Sequence, residues 1–171
     1  MSPVKKNNPS KTGFSTEASL VERFVGALQS GSSVFGPLQV TTEWSHRAGF
    51  VDVLARDATA SLIAFEAKLS DWKRAYLQAY RNTAYANRVY VLLPSETVHR
   101  ALRDQEEFEF RGIGLCSFDG QQIRVFIEAT EQEPLLIWLR KRAHEHFNGL
   151  PDGRDARSRR GRPRSVSEAR F

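Results

Sequence analysis

Two short apolar segments that each carry an acidic residue lie within residues 50–69, which read FVDVLARDATASLIAFEAKL. Both segments alternate with a period of about two, so we predict two β-strands joined by a short turn. In the second strand Glu66 and Lys68 share one face, and the opposite face is apolar. A hairpin between the two strands would place Asp52 of the first strand beside Glu66.

Paired carboxylates of this kind are typical of a metal site. Two carboxylates on neighbouring strands repel each other unless a cation lies between them. Oxygen ligands suit Mg²⁺, which keeps several waters and needs only one or two protein carboxylates. Lys68 would face the same site, where it could stabilise a phosphate or help to activate an attacking water. Asp52, Glu66 and Lys68 are therefore the first candidates for a functional site.

A third acidic candidate lies on the predicted first helix. Leu20, Phe24 and Leu28 form its apolar face, and at 100° per residue Glu17 lies near the centre of that face. A glutamate in that position is costly unless it has a partner, which favours a metal ligand. The alternative is that Glu17 stands in the first helical turn, where the helix dipole stabilises it. Glu22 points away from the apolar face and is a poor substitute.

The rest of the chain alternates between helical and strand patterns. The strand at 88–93 is nearly all apolar, which is typical of a strand buried on both faces. The element order α-β-β-β-α-β-α-β-β-α predicts an α/β fold in which helices flank a central mixed β-sheet. The predicted elements are a helix from a cap at Ser15 to Gly31, strands at 38–44, 49–56 and 61–69, a helix at 71–87, a strand at 88–93, a helix at 95–107, strands at 112–118 and 122–128, and a helix at 134–149.

Positive charge is concentrated at the two ends of the chain, although the net charge of the 171 residues is only +5. Residues 1–11 carry three lysines and no acid, residues 150–171 carry seven arginines against three acids, and residues 12–149 have a net charge of −2. We predict a flexible basic arm over 1–14, a folded domain over 15–149 and a disordered Arg-rich tail over 150–171. Such ends could attract a polyanion or could simply be solvated.

Composition excludes several classes of protein. No run of about 18 apolar residues exists, so we expect no membrane span and no membrane partner. The N-terminal segment lacks the apolar stretch of a secretory signal, and Cys116 is the only cysteine, so neither an intrachain disulfide nor a cysteine-built zinc site is expected. A cytoplasmic location is predicted. His46 is placed in a polar loop beside the candidate site, where it could touch substrate or serve only as a loop residue.

The acidic and basic candidates together resemble the PD-(D/E)XK nuclease superfamily. Glu17 on a helix, Asp52 on a strand and the Glu-Ala-Lys motif at 66–68 on the next strand carry the resemblance, which covers about residues 15–94. It implies a restriction endonuclease-like core of order αβββαβ. Val51 stands where the family name has a proline, a substitution that is frequent in the family.

The resemblance also implies roles for individual residues. Those at Asp52 and Glu66 would bind the divalent ion, Glu17 would complete the metal site, and Lys68 would be catalytic. Gln78 resembles a glutamine that some branches carry on the helix after the third strand, so it is a further catalytic candidate. Members include Holliday-junction resolvases, many restriction enzymes and the nuclease domains of recombination helicases.

A simpler interpretation of the same residues needs no metal. Surface strands often carry Glu-x-Lys pairs, so Glu66 could form an ion pair with Lys68. Asp52 would then pair with a nearby arginine, either Arg47 or Arg56.

The C-terminal tail contains a motif that resembles an AT-hook. Its core is Arg-Gly-Arg-Pro, in which glycine permits close approach, proline holds an extended path and arginines enter the narrow minor groove of A·T-rich DNA. The tail is expected to bind nucleic acid, with an affinity that depends on salt concentration. The predicted nucleic-acid-binding residues are Arg159, Arg160, Arg162 and Arg164.

These features predict a nuclease that cleaves DNA, as an endonuclease, with Mg²⁺ as its cofactor and Mn²⁺ as a possible substitute. One alternative is a non-catalytic DNA-binding accessory protein on the same fold, and another is an RNA-directed nuclease. Repair, recombination and defence are the expected settings. A homodimer is a further expectation, with the helix around Trp138 as a candidate interface or part of the core.

Overall fold

The protein is built around a six-stranded mixed β-sheet with helices on both faces. The structure, a computed structural model, describes residues 13–47 and 49–151. The predicted αβββαβ order and the mixed sheet are confirmed. The elements are α1 Glu17–Gln29, β1 Leu38–His46, β2 Gly49–Asp57, β3 Leu62–Ala67, α2 Trp72–Asn82, β4 Arg88–Pro94, α3 Val98–Ala101, a 3₁₀ turn Leu102–Asp104, α4 Gln105–Arg111, β5 Gly114–Phe118, β6 Ile123–Ile127 and α5 Ile137–Gly149.

The strands lie in the sheet in the order in which they occur in the chain. The pairs β1–β2, β2–β3 and β5–β6 are antiparallel, and β3–β4 and β4–β5 are parallel. Parallel neighbours need a crossover connection, which α2 supplies between β3 and β4. Every residue of β3 is buried, as are six of the seven in β4, because helices cover both faces of these central strands.

Two apolar cores form on the two faces of the sheet. On one face the stripe Leu20, Phe24 and Leu28 of α1 packs against side chains of β2 to β5. On the other face α2, α4 and α5 pack against the same sheet. The buried residues of these three helices are Ala75, Ala79 and Asn82 of α2, Phe108 of α4, and Leu139, Ala143 and Phe147 of α5. The only polar member of this set is Asn82, which bears on the candidate site.

Several predicted boundaries were wrong by a few residues. The cap of α1 is Thr16, not Ser15, because the Thr16 hydroxyl accepts the Ser19 N–H in a capping box. The strand β1 runs on to His46, so this histidine lies on a strand and not in a loop. It pairs opposite Gly49, which shortens the connection to β2.

The two helices that flank β4 also differ from the prediction. The helix α2 ends at Asn82, not at residue 87, because Asn87 pairs with β3. The backbone N–H of Asn87 donates to the carbonyl of Leu62, and the side-chain oxygen of Asn87 accepts the Leu62 N–H. The helix predicted for 95–107 is three pieces that reach Arg111, where Gly112 takes the left-handed conformation that ends the helix.

No helix among the described residues is both long and apolar enough to cross a lipid bilayer. The predicted basic arm lies almost wholly outside the described residues, as does the tail beyond residue 151 with Arg159, Arg160, Arg162 and Arg164. The division of the chain into arm, domain and tail therefore stays a prediction.

Candidate active site

Asp52 lies where the central strands stop pairing. The β2–β3 ladder ends at the pair Val53 and Phe65. Beyond this pair, the Asp52 carboxylate and not a backbone carbonyl of β2 accepts a hydrogen bond from β3. Its Oδ2 accepts the Ala67 backbone N–H at 2.8 Å. This bond holds the carboxylate across the gap between the two strands, at the end of β3 that carries the Glu-Ala-Lys motif.

Glu66 is buried beside Asp52. Only 1% of Glu66 is exposed, and its Oε1 accepts a 2.6 Å hydrogen bond from the Asn82 amide. Its Oε2 is buried, and no donor from the described residues reaches it. Burial and, as the second cause, the negative charge of Asp52 together raise the pKa of Glu66 to about 8. The two carboxyl groups are therefore the like-charged neighbours that the sequence predicted.

Lys68 reaches towards α1. Its Nζ donates to Oε2 of Glu17 at 3.1 Å and to the carbonyl of Ala67 at 3.0 Å. The lysine is buried, whereas the side chain of Glu17 is 49% exposed. Lys68 thus pairs with Glu17 and not with Glu66, and neither Arg47 nor Arg56 forms an ion pair with Asp52 among the described contacts. The simpler ion-pair interpretation is not the arrangement that the fold adopts.

The three predicted metal carboxylates form a pair and an outlier. Asp52 and Glu66 interact, whereas Glu17 is held by Lys68. Within residues 13–47 and 49–151, no three side chains of Asp, Glu, His or Cys are grouped closely enough to hold an ion. The part that Glu17 plays in a metal site therefore stays a prediction.

A buried polar chain behind Glu66 was missed at the level of sequence. The Asn82 amide that donates to Glu66 accepts a 3.2 Å hydrogen bond from the Tyr85 hydroxyl at its own oxygen. Both residues are buried, at 3% and 1% exposure. The available signal was a polar residue on the same helical stripe as Ala75 and Ala79, three residues past the second alanine. Such a residue must have a buried partner.

Gln78 lies one turn before Asn82 on α2. Its side-chain oxygen is buried, and no donor within the described part of the chain reaches it. The predicted catalytic role of Gln78 stays a prediction. His46 also faces this side of the sheet, where its ring lies 5.1 Å from that of Tyr85 and 5.2 Å from that of Trp44. Burial and the charge of Arg142 lower the pKa of His46, so it is a packed strand residue near the buried chain.

A groove of about 740 Å³ opens beside Asp52 and α1. Its lining includes four carboxylates, those of Glu17, Glu22, Glu43 and Asp52. Glu22 thus lines the same groove as Glu17, although helical periodicity predicted that Glu22 points away from the apolar face of α1. Glu43 has a φ of 51° and, like Asp52, is skipped in the β1–β2 pairing. A left-handed glutamate inside a strand costs backbone energy, and no feature of the sequence pointed to it.

The donor set fits a divalent cation of the magnesium type. Mg²⁺ needs one or two carboxylates and keeps several waters, and Asp52 with Glu66 offers two carboxylates next to an open groove. The buried Oε2 of Glu66 has no hydrogen-bond donor among the described residues, and a cation would satisfy it. The mutual repulsion of the pair would be relieved by the same ion.

Comparison with known proteins shows a shared fold and no family. No family model matches the sequence, and no curated protein matches it. A Silicibacter pomeroyi protein of unknown function has a similar structure, with a TM-score of 0.57 and 18% identity over 82% of this chain and 85% of that one. At that identity the likeness shows the fold alone.

Two further structures are similar at a lower level. One is a structure of an EndoMS–double-stranded DNA complex, with a TM-score of 0.41 and 15% identity over 77% of this chain and 51% of that chain. The other is a repair endonuclease from Pyrococcus abyssi, with a TM-score of 0.41 and 17% identity over 67% of this chain and 49% of that one. This chain spans about half the length of each. Likenesses at this level do not establish a shared activity.

Proposed function

We propose that this protein is a divalent-metal-dependent nuclease that hydrolyses phosphodiester bonds in DNA. The observation that carries the proposal is the pair formed by Asp52 and Glu66, in which the buried Oε2 of Glu66 has no donor among the described residues. Structural ion pairs give each carboxylate a directly bonded cation, but neither Asp52 nor Glu66 forms a salt bridge with a described residue, although the charge of Lys68 acts on Glu66. Lys68, the third residue of the motif, is instead bonded to Glu17 of α1.

Asp52 and Glu66 would hold the cation, which we expect to be Mg²⁺ or, as a substitute, Mn²⁺. When bound, a cation of this kind polarises a phosphate oxygen and lowers the pKa of a water. The Ala67 N–H fixes the orientation of Asp52, and Asn82 fixes that of Glu66, so both carboxylates are positioned before any ligand arrives.

Lys68 would supply positive charge to the phosphate that is cleaved. Its ammonium group is tied to Glu17 and to the Ala67 carbonyl, beside the two carboxylates. An ammonium held in a site with little water stabilises charge that develops on a phosphate oxygen more than it would in bulk solvent. Because Glu17 is half-exposed, its bond to Lys68 can be exchanged for one to the substrate at modest cost.

The acidic groove makes the metal a requirement for the proposed activity. Four carboxylates line it, so a DNA backbone would be repelled in the absence of divalent cations. Cleavage should therefore need metal for two reasons, chemistry and approach of the substrate.

Cleavage of labelled linear, branched and single-stranded DNA, with Mg²⁺, Mn²⁺ or EDTA, tests the proposal. The variants Asp52→Asn and Lys68→Met should lose cleavage, and Lys141→Met, which neutralises an exposed lysine of α5, should retain it. RNA of matched sequence decides between DNA and RNA as substrate. Metal-dependent binding with no cutting of any substrate would instead support a non-catalytic DNA-binding accessory protein.

The quaternary structure belongs to the same proposal. Leu135, Ile137 and Trp138, at the start of α5, are 87%, 63% and 49% exposed, so this segment is not core. A homodimer through this face stays a prediction, and sedimentation of the wild type beside Trp138→Glu would test it.

A further inference from the structure

The outer face of α2 is cationic in an otherwise acidic part of the chain. The eleven residues of α2 include Lys73, Arg74 and Arg81 and no acid. All three cations are exposed, because the buried stripe of the helix faces the sheet. Residues 12–149 as a whole have a net charge of −2. The positive charge of this face therefore stands out from its surroundings and is complementary to a polyanion.

Exposed aromatic rings lie next to these cations. Tyr80 of α2 is 44% exposed and Phe110 of α4 is 81% exposed. The guanidinium of Arg111 lies 4.8 Å from the centroid of the Tyr80 ring and 5.8 Å from that of Phe110, so the three side chains form one cluster. Leu77, one turn before Tyr80 on α2, is 59% exposed as well.

The helices α2 and α4 are joined directly, which makes the face continuous. The Tyr76 hydroxyl of α2 donates to Oε1 of Glu107 at 2.9 Å. Glu107 also forms an ion pair with Arg111 at 3.4 Å, which neutralises part of that charge. The cations of α2 have no such partner at comparable distance among the described ion pairs. Glu109 of α4 accepts a hydrogen bond from Gln105, and together with Asp104, Glu106 and Glu107 it lines a groove beside Phe110, so the α4 border of this face is acidic.

We propose that this α2–α4 face (Lys73, Arg74, Leu77, Tyr80, Arg81, Phe110 and Arg111) binds an unpaired strand of DNA. The cations would contact phosphates, and the rings of Tyr80 and Phe110 would stack on bases. A duplex covers the faces of its bases by stacking them on each other, so exposed rings can be used in this way only on unpaired bases. This inference names the substrate class for the proposed nuclease and rests on that proposal for the choice of DNA.

The same helix connects this face to the candidate active site. Lys68 precedes α2 by four residues, and the inner side of α2 carries Asn82, which bonds to Glu66. A strand held on the outer side of α2 would be separated from the carboxylate pair by the width of this helix, about 10 Å or more. We therefore expect the unpaired segment on the α2 side of the sheet and the cleaved bond at the carboxylate pair.

Binding of fluorescent oligonucleotides in EDTA tests the inference without any cleavage. The full-length chain is titrated with a single strand and with a duplex of equal length, at several salt concentrations. The triple variant Lys73→Ala, Arg74→Ala, Arg81→Ala should reduce the salt slope for the single strand by about 2, at roughly 0.7 per phosphate contact. The matched triple Arg124→Ala, Lys141→Ala, Arg142→Ala removes the same charge from exposed positions on β6 and α5 and should leave the slope near that of the wild type.

Aromatic variants separate stacking from charge. Tyr80→Ala and Phe110→Ala should each weaken single-strand binding on the order of tenfold and leave duplex binding unchanged. Photo-crosslinking of a 5-iodouracil single strand, mapped by mass spectrometry, should give adducts at Tyr80 or Phe110. Equal losses in the two triple variants, or adducts confined to residues 150–171, would overturn the inference.

Failure of this inference and failure of the proposed nuclease activity give different results. If the wild type cleaves DNA and the two triple variants bind single strands equally well, the nuclease proposal stands and the role of the α2–α4 face is contradicted. If the binding results are as expected but no substrate is cut, the role of the α2–α4 face stands and the nuclease proposal is contradicted.

Discussion

The amide of Asn82 donates a 2.6 Å hydrogen bond to Oε1 of Glu66, and both residues are buried in the core between α2 and the sheet. The Tyr85 hydroxyl donates to the other end of the same amide, which fixes its orientation with nitrogen towards the carboxylate. One oxygen of Glu66 is thereby satisfied, and the other, also buried, has no donor among the described residues. The proposed metal site depends on this arrangement as much as on the carboxylates themselves.

Replacing Asn82 by alanine should destabilise the protein by about 1–3 kcal/mol, because it leaves a buried carboxyl oxygen and the Tyr85 hydroxyl without partners. Urea denaturation at neutral pH measures the change. Asn148→Ala is the matched control, since Asn148 is exposed and its side-chain oxygen accepts a hydrogen bond from Arg56 at the surface. Equal effects of the two substitutions would contradict the role assigned to Asn82.

The stability of the metal-free protein should fall as the pH rises between about 4.5 and about 8. The pKa of Glu66 is raised from 4.5 to about 8 in the folded state, first by burial and then by Asp52. The folded state therefore holds this proton more tightly than the unfolded state, and its loss at higher pH opposes folding. The free energy of unfolding, measured by denaturation at several pH values in this range, should depend less steeply on pH for Glu66→Gln than for the wild type.

Two controls accompany the pH experiment. The exposed Glu22→Gln should retain the slope of the wild type, because its carboxylate is solvated. Mg²⁺ at pH 8 should stabilise the wild type and not Glu66→Gln, since a bound cation neutralises the ionised pair. A metal response of the same size in both proteins would place the ion elsewhere.

Neutralising Lys68 should have opposite effects on metal binding and on cleavage. Its ammonium adds positive charge beside the carboxylate pair, so Lys68→Met should tighten Mn²⁺ binding several-fold, measured by calorimetry. DNA cleavage should fall by about 10² or more, because the stabilising charge on the phosphate is lost. A variant that binds metal more weakly than the wild type would show that Lys68 supports the site structurally.

Two glycines should respond in opposite directions to substitution by alanine. A Cβ at Gly114 would lie 2.3 Å from the ring of the fully buried Tyr90 and 2.9 Å from the Ala129 backbone nitrogen. Gly114→Ala should therefore destabilise the protein by about 1–3 kcal/mol or more. Gly26 of α1 has no atom within 4 Å of such a Cβ, so Gly26→Ala should stabilise it by up to about 1 kcal/mol. Thermal unfolding of both variants checks the pair.

Most of the fold could be predicted because its signals are local. The alternation in residues 50–69 and the apolar run at 88–93 identified β2, β3 and β4, and the order of elements predicted the mixed sheet. Boundaries were less accurate where a distant partner decides them. The helix α2 stops at Asn82 because Asn87 bonds to Leu62 across the sheet, which no local pattern contains.

The sequence by itself determined which strands and helices form, where charge is concentrated, and that Asp52 and Glu66 lie on adjacent strands. These properties depend on side-chain periodicity and on composition, which can be read over a few residues. Only the tertiary structure decided that Lys68 pairs with Glu17, that Asn82 and Tyr85 lie behind Glu66, and that Glu43 interrupts β1 opposite Asp52. The reason is that these contacts depend on where two strands diverge and how each helix is rotated against the sheet, and packing across the whole core determines both.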